Sequence, residues 1–310
     1  MKKKIRFFLL IGFILFLFSG CSTRISSDSL NLTGAIQWDG LKRTYTLHLP
    51  PSFERENSLP LVIALHGSGS SGERFAWLTK EGFNKLADKE KFIVVYPDGV
   101  EKNWNDGRTY VSDRAHRENI DDVGFISALM DKLIEDFNID SSHIYVTGIS
   151  NGGGLTYRLA CELTSRLRGV APVALPMPED LAKACSPSKP LPILIIHGDS
   201  DPIVPYNGGW IAGMSGKVLS IEDTVKYWIS NNGCPETPEK VEEIDRDPLD
   251  GTSVKKTIYC SKETEVAMYT IEGGGHTWPG GVQYRDEAYI GKTSSEIDAC
   301  EVIWAFFESH

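Results

Sequence analysis

The chain has 310 residues, of which 41% are hydrophobic and 24% charged, and its formal net charge is −10. This length and composition fit one globular domain with a large apolar core. Because an acidic chain offers no basic face to a phosphate backbone, the composition disfavours nucleic acid as a partner.

The first residues have the pattern of an export signal. Four cations within residues 2–6 precede an apolar run, 7–18, which is shorter than the roughly 20 residues that cross a bilayer. Residues 18–21, Phe-Ser-Gly-Cys, resemble a bacterial lipobox, although Phe18 stands where that motif usually has Leu. The resemblance implies cleavage before Cys21 and a lipid on its thiol; an ordinary secretory signal is the alternative.

The chain is therefore predicted to have three parts. Residues 1–20 are interpreted as a lipoprotein signal peptide, 21–34 as a polar, flexible tether, and 35–310 as one folded domain. Loss of the signal peptide would leave a net charge of −14, since that segment carries four cations and no acid. We expect an exported protein that meets the membrane only through a lipid on Cys21, or a secreted one.

Short apolar runs alternate with helical patterns along the domain. The continuous runs are typical of strands buried on both faces of a parallel sheet, and the pattern predicts an α/β fold: a mostly parallel, doubly wound sheet with helices on both faces. In such sheets, function collects at the C-terminal ends of the strands. Thr44–Leu49 alternates in a way that suits an early antiparallel strand, and the other predicted strands are Leu61–Leu65, Phe92–Tyr96, Ile144–Thr147, Ile193–Ile196 and Val266–Ile271. The predicted helices are Asn119–Phe137, Leu155–Leu163, Ile221–Ser230 and Glu296–Phe307.

A candidate nucleophile stands between a predicted strand and a predicted helix. Residues 148–152 read Gly-Ile-Ser-Asn-Gly, the G-x-S-x-G elbow typical of α/β-hydrolases, with Ser150 at its centre. Only small residues fit two positions on either side of a serine on so sharp a turn. The Asn151 N–H, at the start of the helix, is a candidate donor to an oxyanion. The alternative is a plain glycine-rich turn.

Two acids and one histidine follow in the chain order of a hydrolase triad. Asp199 and Asp201 come directly after the strand Ile193–Ile196. We favour Asp201, because the Pro-containing segment after it can hold a carboxylate rigidly, whereas Asp199 fits a turn. His276, on a glycine-rich loop after the strand Val266–Ile271, is the candidate base, and the acid would fix its tautomer.

The segment after the strand Leu61–Leu65 reads His-Gly-Ser-Gly-Ser, at residues 66–70. In this fold, a loop after an early strand supplies the second oxyanion donor, so Ser68 and Gly69 are candidates. A flexible loop without a role is the alternative. Asp121 and Asp122 open a predicted helix, where acids favour the helix dipole, and we interpret them as structural.

Five cysteines follow Cys21, and export favours their oxidation. Cys234 and Cys260 flank a segment that looks like a loop and hairpin, and they are the first candidate disulfide. Cys161 with Cys185 is the second, which would leave Cys300 as a buried free thiol. Sequence alone does not fix the connectivity. No cysteine or histidine cluster suggests a metal, and no cofactor is expected.

Taken together, these motifs resemble the esterases grouped with polyhydroxybutyrate depolymerases and feruloyl esterases, known as carbohydrate esterase family one. The resemblance covers nearly the whole mature chain and implies the triad Ser150, Asp201 and His276. It also suggests that Trp104 and Trp278 lie near the substrate, with core packing as the alternative for each. The matching segments are 65–69, 104–108, 121–125, 148–153, 197–206 and 275–281.

The resemblance implies a serine carboxylic-ester hydrolase that acts through an acyl-enzyme on a small-molecule or oligomeric ester. We expect a monomer. A feruloyl or acetyl esterase of plant-polysaccharide esters is the first hypothesis. A depolymerase of hydroxyalkanoate esters is the second, although such extracellular enzymes often carry a further binding domain that this sequence lacks. A prolyl-type serine peptidase, which would need a propeller domain, and a non-catalytic surface module are less favoured.

Overall fold

A sheet of ten strands forms the centre of the molecule. The computed structural model describes residues 30–261 and 264–310. The predicted signal peptide, Cys21 and most of the predicted tether lie outside these residues. The strands are β1 (Leu30–Trp38), β2 (Leu41–Leu49), β3 (Leu59–Leu65), β4 (Ile93–Pro97), β5 (Ile139–Ile149), β6 (Gly169–Val173), β7 (Ile193–Gly198), the short pair β8 (Gly209–Trp210) and β9 (Lys217–Val218), β10 (Lys240–Ile244), β11 (Ser253–Ile258) and β12 (Val266–Glu272).

The strand order in the large sheet is β1-β2-β4-β3-β5-β6-β7-β12-β11-β10. The six central strands, from β4 to β12, are parallel to one another, and antiparallel strands complete both edges. The short pair β8 and β9 forms a separate antiparallel ribbon. The C-terminal ends of the parallel strands therefore meet along one edge of the sheet, as predicted.

Helices cover both faces of this sheet. Side chains alternate along each central strand: in β3, Leu61 and Ile63 belong to one apolar cluster, whereas Val62 and Ala64 belong to the other. The first cluster is completed by α4, α5 and α7, and the second by α1, α2 and α9. The helices are α1 (Gly72–Leu78), α2 (Gly82–Glu90), α3 (Arg114–Arg117), α4 (Asp122–Phe137), α5 (Asn151–Glu162), α6 (Glu179–Ala184), α7 (Ile221–Asn232), α8 (Glu287–Ile290) and α9 (Ala299–Glu308).

The predicted helices exist close to their expected bounds, and α4 shows why. Its first turn is capped by Asp121, whose side chain accepts a hydrogen bond from the Gly124 N–H. Asp122 is fully buried and forms an ion pair with Arg43 at 2.6 Å. Burial raises the pKa of Asp122, although the Arg43 charge opposes that effect. Both acids have structural roles, as expected.

The predicted tether is wrong over its last five residues. β1 begins at Leu30 and pairs antiparallel with β2 along its whole length, Leu30 opposite Leu49 and Trp38 opposite Leu41. Leu32, Ile36 and Trp38 are partly buried and alternate with exposed residues, which is the pattern of a strand with one face on the core. The domain therefore starts at or before Leu30, not at residue 35.

Strand β6 was not predicted, because its sequence, Gly-Val-Ala-Pro-Val, carries a glycine and a proline that normally argue against a central strand. It is nonetheless buried between β5 and β7.

The hairpin expected between Cys234 and Cys260 is present, because β10 and β11 pair antiparallel there. Among the described residues, no helix is long and apolar enough to cross a membrane.

Candidate active site

The candidate nucleophile lies on a sharp turn between β5 and α5. Ser150 alone connects the two elements, at φ 56° and ψ −122°, a conformation that residues other than glycine rarely adopt. Such a conformation costs on the order of 1–3 kcal/mol and persists only where the surroundings hold it. Here the Ser150 N–H donates to the Val173 carbonyl of β6 at 2.8 Å.

Two glycines make this turn possible by allowing three backbones to touch. A Cβ atom on Gly148 would lie 2.6 Å from the Gly152 carbonyl carbon, and one on Gly152 would lie 2.3 Å from the Leu65 oxygen. A Cβ on Gly67 would lie 3.4 Å from the Ser150 Cβ, so the loop after β3 runs directly beside the serine. The glycines of the motif are therefore required by contact.

His276 and Asp201 meet beside this turn. The Nδ1–H of His276 donates to Asp201 Oδ2 at 2.7 Å, and both side chains are buried. The other carboxylate oxygen of Asp201 accepts the N–H groups of Ile203 and Val204, both at 2.8 Å. The carboxylate is thus fixed by the segment after it, and it orients the imidazole with Nε2 left for another partner.

The competing acid is occupied elsewhere. Asp199 is exposed, and its Oδ1 accepts from the Gly273 N–H at 2.8 Å, which ties two loops together as a turn residue does. Burial acts to raise the pKa of Asp201, but the charge of His276 and the hydrogen bonds outweigh it, and this pKa lies below its ordinary value. Asp201 is therefore the ionised partner of His276.

A second histidine lies under the acid. Burial lowers the pKa of His197 to about 4, so its ring is neutral near pH 7. Its Nε2–H donates to the Val204 carbonyl at 3.1 Å, and the ring lies 3.9 Å from Asp201 Oδ2. His197 therefore supports the Asp201 loop without adding a charge to the site.

Ser150 and His276 line one cavity of about 220 Å³ at the C-terminal edge of the sheet. The predicted residues Ser68 and Gly69 also line it. The apolar wall of this cavity was not predicted from the sequence, because α1 was not recognised there and residues 282–290 carry no motif. That wall is formed by Phe75, Trp77 and Leu78 of α1, together with Tyr284.

Tyr284 has two functions at this site. Its ring lines the cavity, and its hydroxyl donates to the His276 carbonyl at 2.9 Å. Burial raises the pKa of Tyr284 to about 12, so the hydroxyl stays protonated and keeps donating. The backbone of His276 is held on its other side, where its N–H donates to the Ile290 carbonyl at 2.6 Å.

The two tryptophans expected near the substrate do not line this cavity. Trp104 is fully buried below it, and Trp278 is 1% exposed. Trp278 packs edge-on against Phe75 and Phe83 and so supports the cavity wall from behind. Neither side chain is exposed to the cavity, so the expectation of direct substrate contact is not met by either residue. The exposed aromatic side chain at the cavity is Trp77.

Ser68 and Gly69 were alternative candidates for the second oxyanion donor, and their hydrogen bonds separate them. The Gly69 N–H donates to the Lys102 carbonyl at 2.8 Å, so it cannot point into the cavity. In the described part of the chain, no backbone carbonyl accepts a hydrogen bond from the N–H of Ser68 or of Asn151. Ser68 lines the cavity together with Ser150, and Asn151 follows Ser150 in the chain. Ser68 and Asn151 are therefore the candidate pair.

The cysteines pair as expected. Disulfide bonds join Cys161 to Cys185 and Cys234 to Cys260, and Cys300 is a buried free thiol. Burial raises the pKa of the Cys300 thiol well above its usual range, which keeps it protonated. Disulfides are typical of proteins exported to an oxidising compartment, and this protein is an exported one.

Comparison with known families agrees with this geometry. The model of the family described as "Esterase PHB depolymerase" matches residues 43–204, just over half of the chain. The chain belongs to this family. It is a carboxylic ester hydrolase.

Relatives and solved structures of this esterase point the same way. It is 29% identical to "Putative esterase NocK" of Nocardia uniformis subsp. tsuyamanensis, over 92% of this chain and 84% of that protein. It is 28% identical to feruloyl esterase B of Piromyces equi over 76% of this chain, but it spans only 42% of that protein. The acetyl xylan esterase from Aspergillus awamori superposes with a TM-score of 0.58 at 15% identity, covering 83% of this chain and 98% of that one, which shows a shared fold.

Proposed function

We propose that the esterase works through Ser150, His276 and Asp201. His276 Nε2 takes the Ser150 hydroxyl proton as Oγ attacks the ester carbonyl, and the N–H groups of Ser68 and Asn151 bind the resulting oxyanion. When the tetrahedral intermediate collapses, His276 gives that proton to the leaving alcohol. A water then repeats the sequence on the acyl-enzyme. The observation that carries the proposal is the 2.7 Å bond between His276 and Asp201 beside the strained Ser150.

The wall of the cavity favours an aromatic or short acyl group. The cavity has a volume of about 220 Å³, which is below the roughly 300–1,000 Å³ of pockets that enclose a whole ligand. It can therefore hold one part of a larger ester. Trp77 and Tyr284 supply accessible aromatic surface on which a feruloyl ring can stack, whereas Phe75 is fully buried. We propose feruloyl or acetyl esters of plant-polysaccharide fragments as substrates, which is consistent with the names of the relatives.

A substrate panel on the purified protein tests this proposal. Methyl ferulate, p-nitrophenyl acetate and hydroxybutyrate oligomers should be compared by kcat/KM, and methyl ferulate is expected to lead the oligomers. Faster hydrolysis of the oligomers would favour the hydroxyalkanoate alternative, with which the family match is also consistent. In the same assay, Ser150→Ala should lower kcat by on the order of 10⁴–10⁶. Near-normal turnover by that variant would contradict the mechanism.

A matched pair of variants tests the aromatic wall in this panel. Trp77 is 45% exposed under the Arg74 guanidinium, and Trp210 is 40% exposed under the Lys217 ammonium, but only Trp77 lines the cavity. Trp77→Ala should lower kcat/KM for methyl ferulate roughly 3- to 10-fold, as about 0.5–1.5 kcal/mol of ring contact is lost. The same variant should lower kcat/KM for p-nitrophenyl acetate by a smaller factor. Equal effects of Trp77→Ala and Trp210→Ala would exclude the stacking.

We also propose that a lipid on Cys21 anchors the esterase to the bacterial cell envelope. The support is the sequence alone: a cationic and apolar segment that ends at Ser-Gly-Cys. Cells fed a labelled fatty acid should label the wild-type protein, and Cys21→Ser should remove the label. An unlabelled wild type, recovered in the soluble fraction, would show an ordinary secretory signal instead.

A further inference from the structure

An oxyanion hole needs two N–H groups aimed at one oxygen, and here they come from segments far apart in sequence. Asn151 opens α5, and Ser68 lies on the loop after β3. We refer to the N–H groups of Asn151 and Ser68 as the oxyanion amides. Because the hydrogen bonds that stabilise a transition state depend on preorganised geometry, something must fix the two segments relative to each other.

Trp104 is bonded to the first segment through its own backbone. Its N–H donates to Asn151 Oδ1 at 2.8 Å, and its carbonyl accepts from Asn151 Nδ2 at 2.9 Å. The same Nδ2 also donates to Asp106 Oδ2 at 2.8 Å. The Asn151 side chain is thus fully engaged and buried, so it is not available to the substrate and serves instead to hold the first turn of α5.

Trp104 is bonded to the second segment through its side chain. The indole Nε1–H donates to the His66 carbonyl at 2.9 Å, and the indole and imidazole rings pack with their centroids 4.9 Å apart. The Arg43 guanidinium lies 5.8 Å from the centre of the same indole. Trp104 therefore contacts the residue that begins the loop carrying Ser68.

His66 transmits that contact to the Ser68 amide. The Gly99 N–H donates to His66 Nε2 at 3.0 Å, so the ring proton is on Nδ1, which donates to the Gly67 carbonyl at 2.8 Å. Burial lowers the pKa of His66, which keeps this neutral tautomer. The Gly67 carbonyl and the Ser68 N–H belong to one planar, trans peptide unit. Holding the carbonyl therefore sets the direction in which the Ser68 N–H points.

We infer that Trp104 is a positioning residue that ties the two oxyanion amides together, with its backbone on Asn151 and its indole on His66. This inference rests on the proposed mechanism and deepens it. Trp104 touches no substrate. Its loss should leave substrate binding intact and weaken the interaction with the tetrahedral transition state alone.

Trp104→Phe removes the indole N–H and keeps an aromatic ring. We expect kcat for p-nitrophenyl acetate to fall about 10- to 100-fold with KM within twofold, because the Ser68 amide is misaimed. The inhibition constant of a boronic acid, which forms a tetrahedral adduct on Ser150, should rise by a similar factor. The control is Trp228→Phe, since Trp228 is equally buried and its Nε1 has no hydrogen-bond partner among the described residues.

A second pair of variants covers the case in which Trp104→Phe does not fold. Asn151→Ala removes the two hydrogen bonds from the Asn151 side chain to the Trp104 backbone. Asn232→Ala removes an equivalent pair to the Leu191 backbone, in which Asn232 Oδ1 accepts at 3.1 Å and Nδ2 donates at 2.7 Å. Only Asn151→Ala should lower kcat and weaken the binding of the boronic acid by more than its loss of stability explains. The melting temperatures of both variants measure that loss.

The outcomes are distinct. Losses of kcat that match those of the Trp228 or Asn232 control, or a loss that appears in KM instead, would overturn the assignment of Trp104. Full turnover by Ser150→Ala would instead refute the proposed mechanism, whatever the Trp104 variants do.

Discussion

At the scale of single residues, hydrogen bonds separate side chains that the sequence presents as equivalents. Asp199 and Asp201 are two positions apart and follow the same strand. Asp201 is buried on His276, whereas Asp199 is exposed and bonded to the Gly273 amide. A buried carboxylate that accepts three hydrogen bonds holds an imidazole in one orientation, and an exposed turn acid cannot.

Isosteric variants of the two acids test this separation. Asp201→Asn should lower kcat by about 10⁴-fold, the effect known for this change in a serine triad, because an amide favours the wrong tautomer of His276. Asp199→Asn keeps an oxygen that can accept from Gly273 and should change kcat less than about threefold. Steady-state kinetics on p-nitrophenyl acetate measure both, and a larger effect of Asp199→Asn would exchange their roles.

At the scale of elements, the site depends on how closely α5 approaches the end of β3. Gly152, in the first turn of α5, leaves no room for a side chain against Leu65 and His66, the residues that lead into the Ser68 loop. This contact brings the loop to Ser150. The sequence motif shows that a glycine is required at position 152. Only the packed structure shows that the backbone of Leu65 and His66 is what requires it.

A pair of glycine variants tests this contact. Gly152→Ala places a Cβ 2.3 Å from the Leu65 oxygen, so α5 must move, and we expect a loss of about 1–3 kcal/mol of stability together with at least a 100-fold fall in kcat. Gly169→Ala, on β6, meets its nearest neighbour at 3.5 Å and should be close to neutral. Chemical denaturation and kinetics measure both; a silent Gly152→Ala would show that the approach of α5 is adjustable.

At the scale of the whole molecule, strand order assembles the site. The Ser68 loop follows β3, Ser150 follows β5, Asp201 follows β7 and His276 follows β12. These strands lie within five adjacent positions of the sheet, all parallel, so their C-terminal ends share one edge. Residues from 68 to 276 therefore converge although no two of these segments are close in the chain.

Much of this arrangement followed from the sequence. Apolar or alternating segments predicted six strands, and helical patterns predicted four helices. The order of Ser150, Asp201 and His276, together with their loop types, predicted the side chains that the sheet edge brings together. These predictions succeed because burial on both faces of a parallel strand demands a continuous apolar run, and a sharp turn demands glycine. Both requirements are local and leave a mark in the residues themselves.

Other features were decided by the tertiary structure. Four features depend on which segment packs against which: the pairing of residues 30–34 in the sheet, the burial of Trp104 and Trp278, the hydrogen bond from Gly69 to Lys102, and the aromatic wall of α1. The sequence does not distinguish a tryptophan in a core from one at a cavity, and a glycine-rich loop has the same sequence pattern whether or not its amide is free. The sequence by itself indicated the ester-hydrolase chemistry. Packing decided which side chains line the cavity and which, like Trp104, are buried, because that depends on contacts between residues distant in the chain.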